Sequence, residues 1–266
     1  MDKISLILAS FRRPELLNLG LFSISKYSNS RQFPLEIIVV NDGIEDETEN
    51  VCKKYNDKLD IKYYFSGQRN INGIKSRCPA WALNIGVKKA QGDIIVLSCP
   101  EIWHLNYSLS YIVFPLLNTE DRIMTTPKFM YFDDNNYLLP FLLKDKNITI
   151  TSDILNNLVV GGKGTTAVRM PFLLGMYKKE FMDVGGYDER FIGYAGDDND
   201  FCTRLDKNGL KLIHTDAQII HLYHEGTNDG KKHPENSAWL YNYNLWKNNK
   251  ETAANQNIGW GKLDEY

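Results

Sequence analysis

GDIIVLSCPEIWH, residues 92–104, is the stretch on which the fold turns. Ile94, Ile95, Val96 and Leu97 form an unbroken apolar run between a Gly-Asp turn and the Cys99-Pro100-Glu101 segment, which is how a strand buried on both faces reads. Proline has no N–H to give a strand ladder, so Pro100 ends the strand and leaves Glu101, Trp103 and His104 just past its carboxyl edge. In an open α/β sheet that edge is where ligands sit. A carboxylate and an imidazole so spaced can share one divalent cation if the turn curls both inward. Taken alone, Glu101 and His104 also read as surface residues after a core strand.

Upstream, the chain opens with a strand at Ile4–Ala9, followed by Ser10, Phe11, Arg12 and Arg13 and by Pro14 in the first turn of a helix bearing Leu16, Leu17, Phe22 and Ile24. A second strand, Leu35–Val40, runs into Asn41-Asp42-Gly43 and an acidic helix start near Asp46. A carboxylate at Asp42 can accept the N3–H of uracil, with backbone groups around Ser10 meeting base and ribose; Asn-Asp-Gly is equally good turn chemistry. Ile61–Phe65 reads as a third strand, and Gly67–Arg77 as a polar loop whose Arg69, Lys75 and Arg77 either meet phosphate or are solvated. Trp81, Leu83, Ile85 and Val87, among small alanines, make a buried helix leading into Gly92. Strand and helix alternate throughout, which predicts a parallel, right-handed α/β sheet.

Downstream, Leu105–Leu117 reads as a helix and Arg122–Thr126 as a strand, while Asp133 to Asn136 resembles a hairpin tip. Gly161-Gly162-Lys163-Gly164 lacks the spacing of a phosphate loop. A short helix at Lys178–Val184 precedes the glycine-rich segment from Gly185 to Gly196, and Phe201 and Leu205 mark a helix ending at Asn208-Gly209. Asp197 and Asp198 fall at the start of that helix, where exposed amides favour the ionised form, and two carboxylates exceed what a cap requires. In residues 236–250, Trp239, Tyr243 and Trp246 recur at helical spacing. Their aromatic face has three possible fates: packing on the domain, which is the reading adopted, a homodimer contact, or a membrane surface. The chain divides accordingly into a domain at 1–232 and an extension at 233–266, hinged at His233, Pro234 and Glu235.

The 266 residues carry 31 Lys plus Arg against 33 Asp plus Glu, for a formal net charge of -2. That balance implies no broad basic face for nucleic acid. Four cysteines without CxxC spacing point to a reducing compartment. With no apolar run long enough to span a bilayer, the expected location is cytoplasmic. GxGxxG is absent after the first strand, which argues against a dinucleotide-dependent oxidoreductase.

VVNDG at 39–43, NIGVKKAQGDIIVL at 84–97, Pro100-Glu101, GGYDERF at 185–191, GDDNDFCTRL at 196–205 and HLYH at 221–224, in this order, resemble the inverting family 2 glycosyltransferases of the GT-A fold. The resemblance implies a nucleotide-binding, mostly parallel α/β sheet flanked by helices, with a C-terminal helical extension. It further implies transfer of a sugar from a nucleotide-sugar donor, first of all a UDP-sugar, to a hydroxyl acceptor. Asp198 would be the general base beside Asp197, and Asp42 would hold the uracil. Ala9, Ser10, Phe11, Arg13, Arg69, Arg77, Asn84, Pro100, Glu101, Gly175 and Met176 would contact nucleotide or donor. The sequence departs from the family where Ser98-Cys99-Pro100-Glu101 replaces the usual Asp-any-Asp motif. Glu101 is then the remaining carboxylate for Mn2+ or Mg2+, with His104, His221 and His224 as candidate partners. A catalytically silent nucleotide-sugar or carbohydrate-binding protein would keep the core but shed the carboxylates that remain here. A sugar nucleotidyltransferase would need a glycine-rich basic loop after the first strand, and ASFRRP is not one.

Overall fold

The computed structural model describes residues 3–27, 33–66, 78–162, 172–193, 195–225 and 237–263. Its first half alternates as the apolar runs dictate: β1 (Ile4–Ser10), α1 (Pro14–Tyr27), β2 (Leu35–Asn41), α2 (Thr48–Lys53), β3 (Asp60–Phe65), α3 (Ala80–Lys89) and β4 (Ile94–Ser98). These strands lie parallel in the order β3-β2-β1-β4, with Ile4 opposite both Leu35 and Ile94. The second half is β5 (Ile102–His104), α4 (Ser108–Leu117), β6 (Ile123–Phe132), α5 (Leu139–Lys144), α6 (Ser152–Leu155), β7 (Val159–Gly162), β8 (Leu173–Tyr177), α7 (Lys178–Asp183), α8 (Asp197–Lys207), β9 (Lys211–His221) and α9 (Ser237–Asn248). It extends the sheet as β4-β8-β6-β9-β5, with β7 on β6, and here antiparallel pairs predominate.

The sheet separates two apolar layers. Leu17, Leu21 and Ile24 of α1 pack with Ile112, Val113 and Leu116 of α4 on one face. Leu83 and Val87 of α3 pack with Phe181, Phe201 and Leu205 of α7 and α8 on the other. Each such side chain contributes about 1.5–3 kcal/mol by leaving water. Gly20 lets α1 close on the end of β4, since a Cβ there would stand 2.8 Å from the Pro100 carbonyl oxygen.

The region from 131 to 165, read only as a loop with a hairpin tip, contains the β6–β7 hairpin and two short helices. Buried Asp133 starts α5 by accepting the N–H groups of Tyr137, Leu138 and Leu139 at 2.7–2.9 Å. It is a cap and a poor candidate for a metal ligand. In the tail, α9 buries Ala238 and Asn242, with Leu245 and Trp246 packed on the α3–α8 layer. Trp239 and Tyr243, expected on the covered face, instead flank it: Trp239 is half-buried and Tyr243 exposed. The hinge residues His233, Pro234 and Glu235 lie outside the described residues.

At the amino edge of the sheet, fully buried Glu36 accepts Ser5 Oγ at 2.5 Å, the Gln91 N–H at 2.6 Å and Lys62 Nζ at 2.5 Å, with Lys3 Nζ at 3.2 Å. Burial pushes its pKa up, but the bonds from Lys62, Ser5, Gln91 and Lys3 outweigh it and hold the group at about 2. A depressed carboxylate stabilises the fold above its unfolded pKa, and that contribution is lost as pH falls through about 2. Glu36→Gln is therefore expected to cost roughly 2–3 kcal/mol at pH 7. In thermal melts the gap to the parent should narrow on acidification, and a gap unaffected by pH would refute the electrostatic origin.

Candidate active site at the carboxyl edge

β1, β2 and β4 end side by side, and each end delivers polar groups. At β1 and β2, the Asp42 N–H donates to the Ser10 carbonyl at 2.8 Å, and Asp42 accepts from Ser66 Oγ. Ser10 Oγ is buried without a hydrogen-bond partner among the described residues, a polar atom for a ligand to meet. Ala9 and Phe11 flank it, both half-buried.

At β4, the Pro100 turn sets Glu101 against β9, where the Leu222 N–H donates to the Glu101 carbonyl at 2.9 Å. The buried Glu101 side chain is ion-paired through Oε1 with Arg13, and His224 Nε2 stands 3.6 Å from the same oxygen. Glu101 Oε2 is buried with no hydrogen-bond partner among the described residues. Charges 88 residues apart are thus joined, a contact that no local pattern in the sequence announces. His221 is the next neighbour, its ring 5.2 Å from that of His224 and packed edge-on against Phe172 at 4.8 Å. Burial lowers His221 to about 3, with the charges of His224 and Arg13 adding to it, and burial plus Arg13 lowers His224 to about 4. Both imidazoles are neutral at pH 7 and offer lone pairs.

One carboxylate with an orphaned oxygen and two neutral imidazoles suit a divalent cation, Mn2+ better than the oxygen-preferring Mg2+. Among the described residues no three such side chains are already gathered as ligands. Arg13 holds the Glu101 oxygen that faces His224 and would have to give way. His104 is outside the group: its ring is buried on α4, with Nδ1 2.5 Å from Ser108 Oγ.

Opposite lies the start of α8, reached through a left-handed Gly196 at φ 92°. Cys78 Sγ donates to Asp197 Oδ2 at 2.8 Å, and Tyr187 OH donates to Asp198 Oδ1 at 3.1 Å. Tyr187 is fixed by stacking on Phe201, with centroids 4.2 Å apart. Burial, and then the charge of Asp197, raises the Asp198 carboxyl well above its ordinary range; burial raises Asp197 as well. At the β4 end, burial raises the Cys99 thiol to about 12, with the charge of Arg13 opposing the rise and that of Asp198 adding to it.

The loop leading into α8 is held by three side-chain amides. Asn84 accepts the Tyr187 N–H and donates to the Tyr187 carbonyl, each at 2.8 Å. Asn255 donates to the Gly185 and Tyr187 carbonyls and accepts the Glu189 N–H, and Asn242 brackets Ile192 in the same way. Buried Arg204 donates to the Val184 and Gly186 carbonyls. Asn84 is therefore a scaffold residue, with its amide spent on Tyr187, and not a donor contact. Gly175 and Met176 likewise stand away from the carboxyl edge. They pair with Val96 and Ile95 inside the sheet, and a Cβ on Gly175 would meet Ile112 at 2.5 Å. Phe172, which accepts Ser98 Oγ through its carbonyl, stands nearer the edge. Arg69, Lys75 and Arg77 lie outside the described residues. Sequence reasoning missed Cys78 and Tyr187 as partners of the two aspartates; Tyr187 stands in the GGYDERF block, but no signal singled out Cys78.

The family described as "Glycosyltransferase like family 2" matches residues 24–229. Among curated proteins, the chain is 24% identical over 249 residues to a hyaluronan synthase of Pasteurella multocida, covering 84% of this chain and 24% of that one. It is 23% identical over 251 residues to a chondroitin synthase of Escherichia coli, covering 85% and 35%. The chain thus spans 24–35% of the length of these relatives. Among solved structures, it resembles GalNAc-T7 with UDP, GalNAc and Mn2+ at a TM-score of 0.64, 16% identity and coverages of 92% and 47%. It also resembles the mannosyltransferase PcManGT of Pyrobaculum calidifontis with GDP-Man and Mn2+, at a TM-score of 0.57, 15% identity and coverages of 86% and 59%. Among the described residues, no helix is long and apolar enough to cross a membrane.

Proposed function

The chain belongs to glycosyltransferase family 2, and from that premise we propose that it moves a sugar, with inversion, from a nucleotide-sugar donor, first of all a UDP-sugar, to a hydroxyl acceptor. The observation carrying this reading is buried Glu101, whose Oε2 has no hydrogen-bond partner among the described residues and whose Oε1 stands 3.6 Å from His224 Nε2. Asp42 and Ser10 take the base and ribose. Glu101, His224 and His221 would hold a divalent cation, Mn2+ or Mg2+, which when bound would neutralise charge on the departing diphosphate. Arg13, paired with Glu101, turns to the phosphates in this reading.

Asp198 takes the acceptor hydroxyl proton as the oxygen attacks, and the donor's C1–O bond breaks toward the diphosphate. Tyr187 orients that carboxylate through Oδ1 and leaves Oδ2 for the acceptor. Release of nucleoside diphosphate from a panel of UDP- and GDP-sugars tests the reading, and a panel with no turnover on prolonged incubation would overturn it.

A pH dependence follows. A base whose pKa is raised is protonated, and inactive, at higher pH than an ordinary carboxylate. The acid limb of kcat should therefore lie above the usual carboxylate range and fall about tenfold per pH unit. Because the Asp197 charge contributes to the rise, Asp197→Asn should move the limb to lower pH. A limb unmoved by that change would separate the two groups.

A further inference from the structure

From the donors that converge on the two aspartates of α8 we infer that Cys78 is a positioning residue: its thiol holds Asp197 as the ionised member of the pair and so makes Asp198 the last of the two to release a proton. This rests on the reading of Asp198 as the base. Two carboxylates on consecutive residues do not ionise independently, and which of them keeps the proton longer is decided by the donors that each one meets. Asp197 meets three, the Cys78 thiol at Oδ2 and the backbone N–H groups of Asp197 and Asp198 themselves. Among the described residues Asp198 meets one, the Tyr187 hydroxyl at Oδ1. Exposure divides the pair in the same way: Asp197 is 4% exposed and too enclosed to meet an acceptor, whereas Asp198 is half-buried and open to one.

The thiol is placed to donate. Cys78 is buried just ahead of α3, where the N–H of Ala80 meets Sγ, and with a lone pair given to that amide its single proton is left for Asp197, 119 positions away in the chain. Burial, and after it the charge of Asp197, push the thiol well up, so the proton stays on sulfur. A buried cysteine ordinarily fills space, and Cys78 does lie in the α3–α8 layer. Its contact with a buried carboxylate gives it more to do, because burying an ionised group is costly unless donors meet it. Burial, and the charge of Asp200, which is ion-paired with Arg204, work against ionising Asp197, so its donors decide whether it ionises ahead of Asp198. The thiols of Cys202, beside Tyr187, and of Cys99, at the β4 end, complete the titratable groups around the pair among the described residues. Without the Cys78 thiol, Asp197 keeps the proton, and Asp198 ionises beside a neutral neighbour as the weaker base.

The test is the pH profile of kcat for nucleoside-diphosphate release by the full chain. Cys78→Ala should move the acid limb to lower pH by about one unit, the direction expected of Asp197→Asn, and lower the plateau while the donor KM stays within about twofold. Cys78→Ser, which keeps a donor, should return the limb to the parental pH. In the Asp197→Asn background, Cys78→Ala should move the limb no further. An alanine limb at or above the parental pH would overturn the inference, as would serine and alanine behaving alike. A second reading needs no turnover. The S–H stretching band of Cys78, isolated as the infrared difference between the parent and Cys78→Ser, should lie at the low frequency of a thiol that donates to a carboxylate and move up when acidification protonates Asp197. The frequency of a free thiol at neutral pH would overturn the inference. Parental turnover in Asp198→Asn, with the band in its expected place, would instead sink the base and leave the charge on Asp197 standing.

Discussion

Asp198→Asn is expected to lower turnover by about 10²- to 10⁴-fold, the usual worth of a positioned general base. The amide keeps the oxygen that accepts from Tyr187 OH, so the side chain should hold its place. What it loses is the ability to take a proton, and that matters only in the transition state. Nucleoside-diphosphate affinity should therefore stay within about twofold, since the base and diphosphate pockets lie across the cleft. Stability should rise. For an acid whose folded pKa lies above its unfolded value, ionisation above that pKa works against folding, and Asp198 is raised by burial and by Asp197. Asparagine removes that charge, so a melting temperature at or above the parent's should accompany the lost turnover. Parental turnover would remove Asp198 from the mechanism, and a matching loss of UDP affinity would show that the cleft itself had collapsed.

Chelation and Glu101→Ala should each weaken UDP binding, by roughly 10- to 100-fold if the cation is held as proposed. The two effects should not add, because both remove one interaction. Glu101→Gln controls for Arg13, which alanine would leave buried and unpaired: glutamine still accepts from the guanidinium but is a poor ligand for a cation. UDP binding undiminished in chelator would favour a metal-independent site, with Arg13 on the diphosphate and Arg69, Lys75 or Arg77 in support.

Where local pattern and tertiary structure coincide, the sequence was a sufficient guide. The apolar runs of β1, β2 and β4 are buried along their length, and a strand so enclosed has few ways to be misread. Pro100 did end β4, and Glu101 does sit past its edge. Most of the misreadings share one cause, partners remote in sequence. Ile102–His104 is too short to show alternation and becomes a strand only by pairing with β9. Gly175 looked like room for a ligand, but its register opposite Val96 makes it room for α4. Asn84 was carried over as a donor contact on the family resemblance alone, and the partner that claims its amide is 103 residues away. His104 is the exception, since its ring partner Ser108 is four residues on, and spacing says nothing of which way a short strand turns its ring.

The amide brackets on the 185–193 loop limit how this site can be moved between chains. The loop makes few ladder bonds of its own; its shape is written in Asn84 on α3, Asn242 on α9, Asn255 beyond it and Arg204 on α8. A graft of residues 185–198 into a related enzyme would transfer the aspartates without their brackets, leaving peptide groups unanchored and Asp198 free to swing. The smallest portable unit is this loop with all four anchors, pieces drawn from places up to 171 positions apart in the chain. Chimeras cut at the loop ends should fold and fail to turn over, whereas those that carry the anchors should retain the activity of their parent.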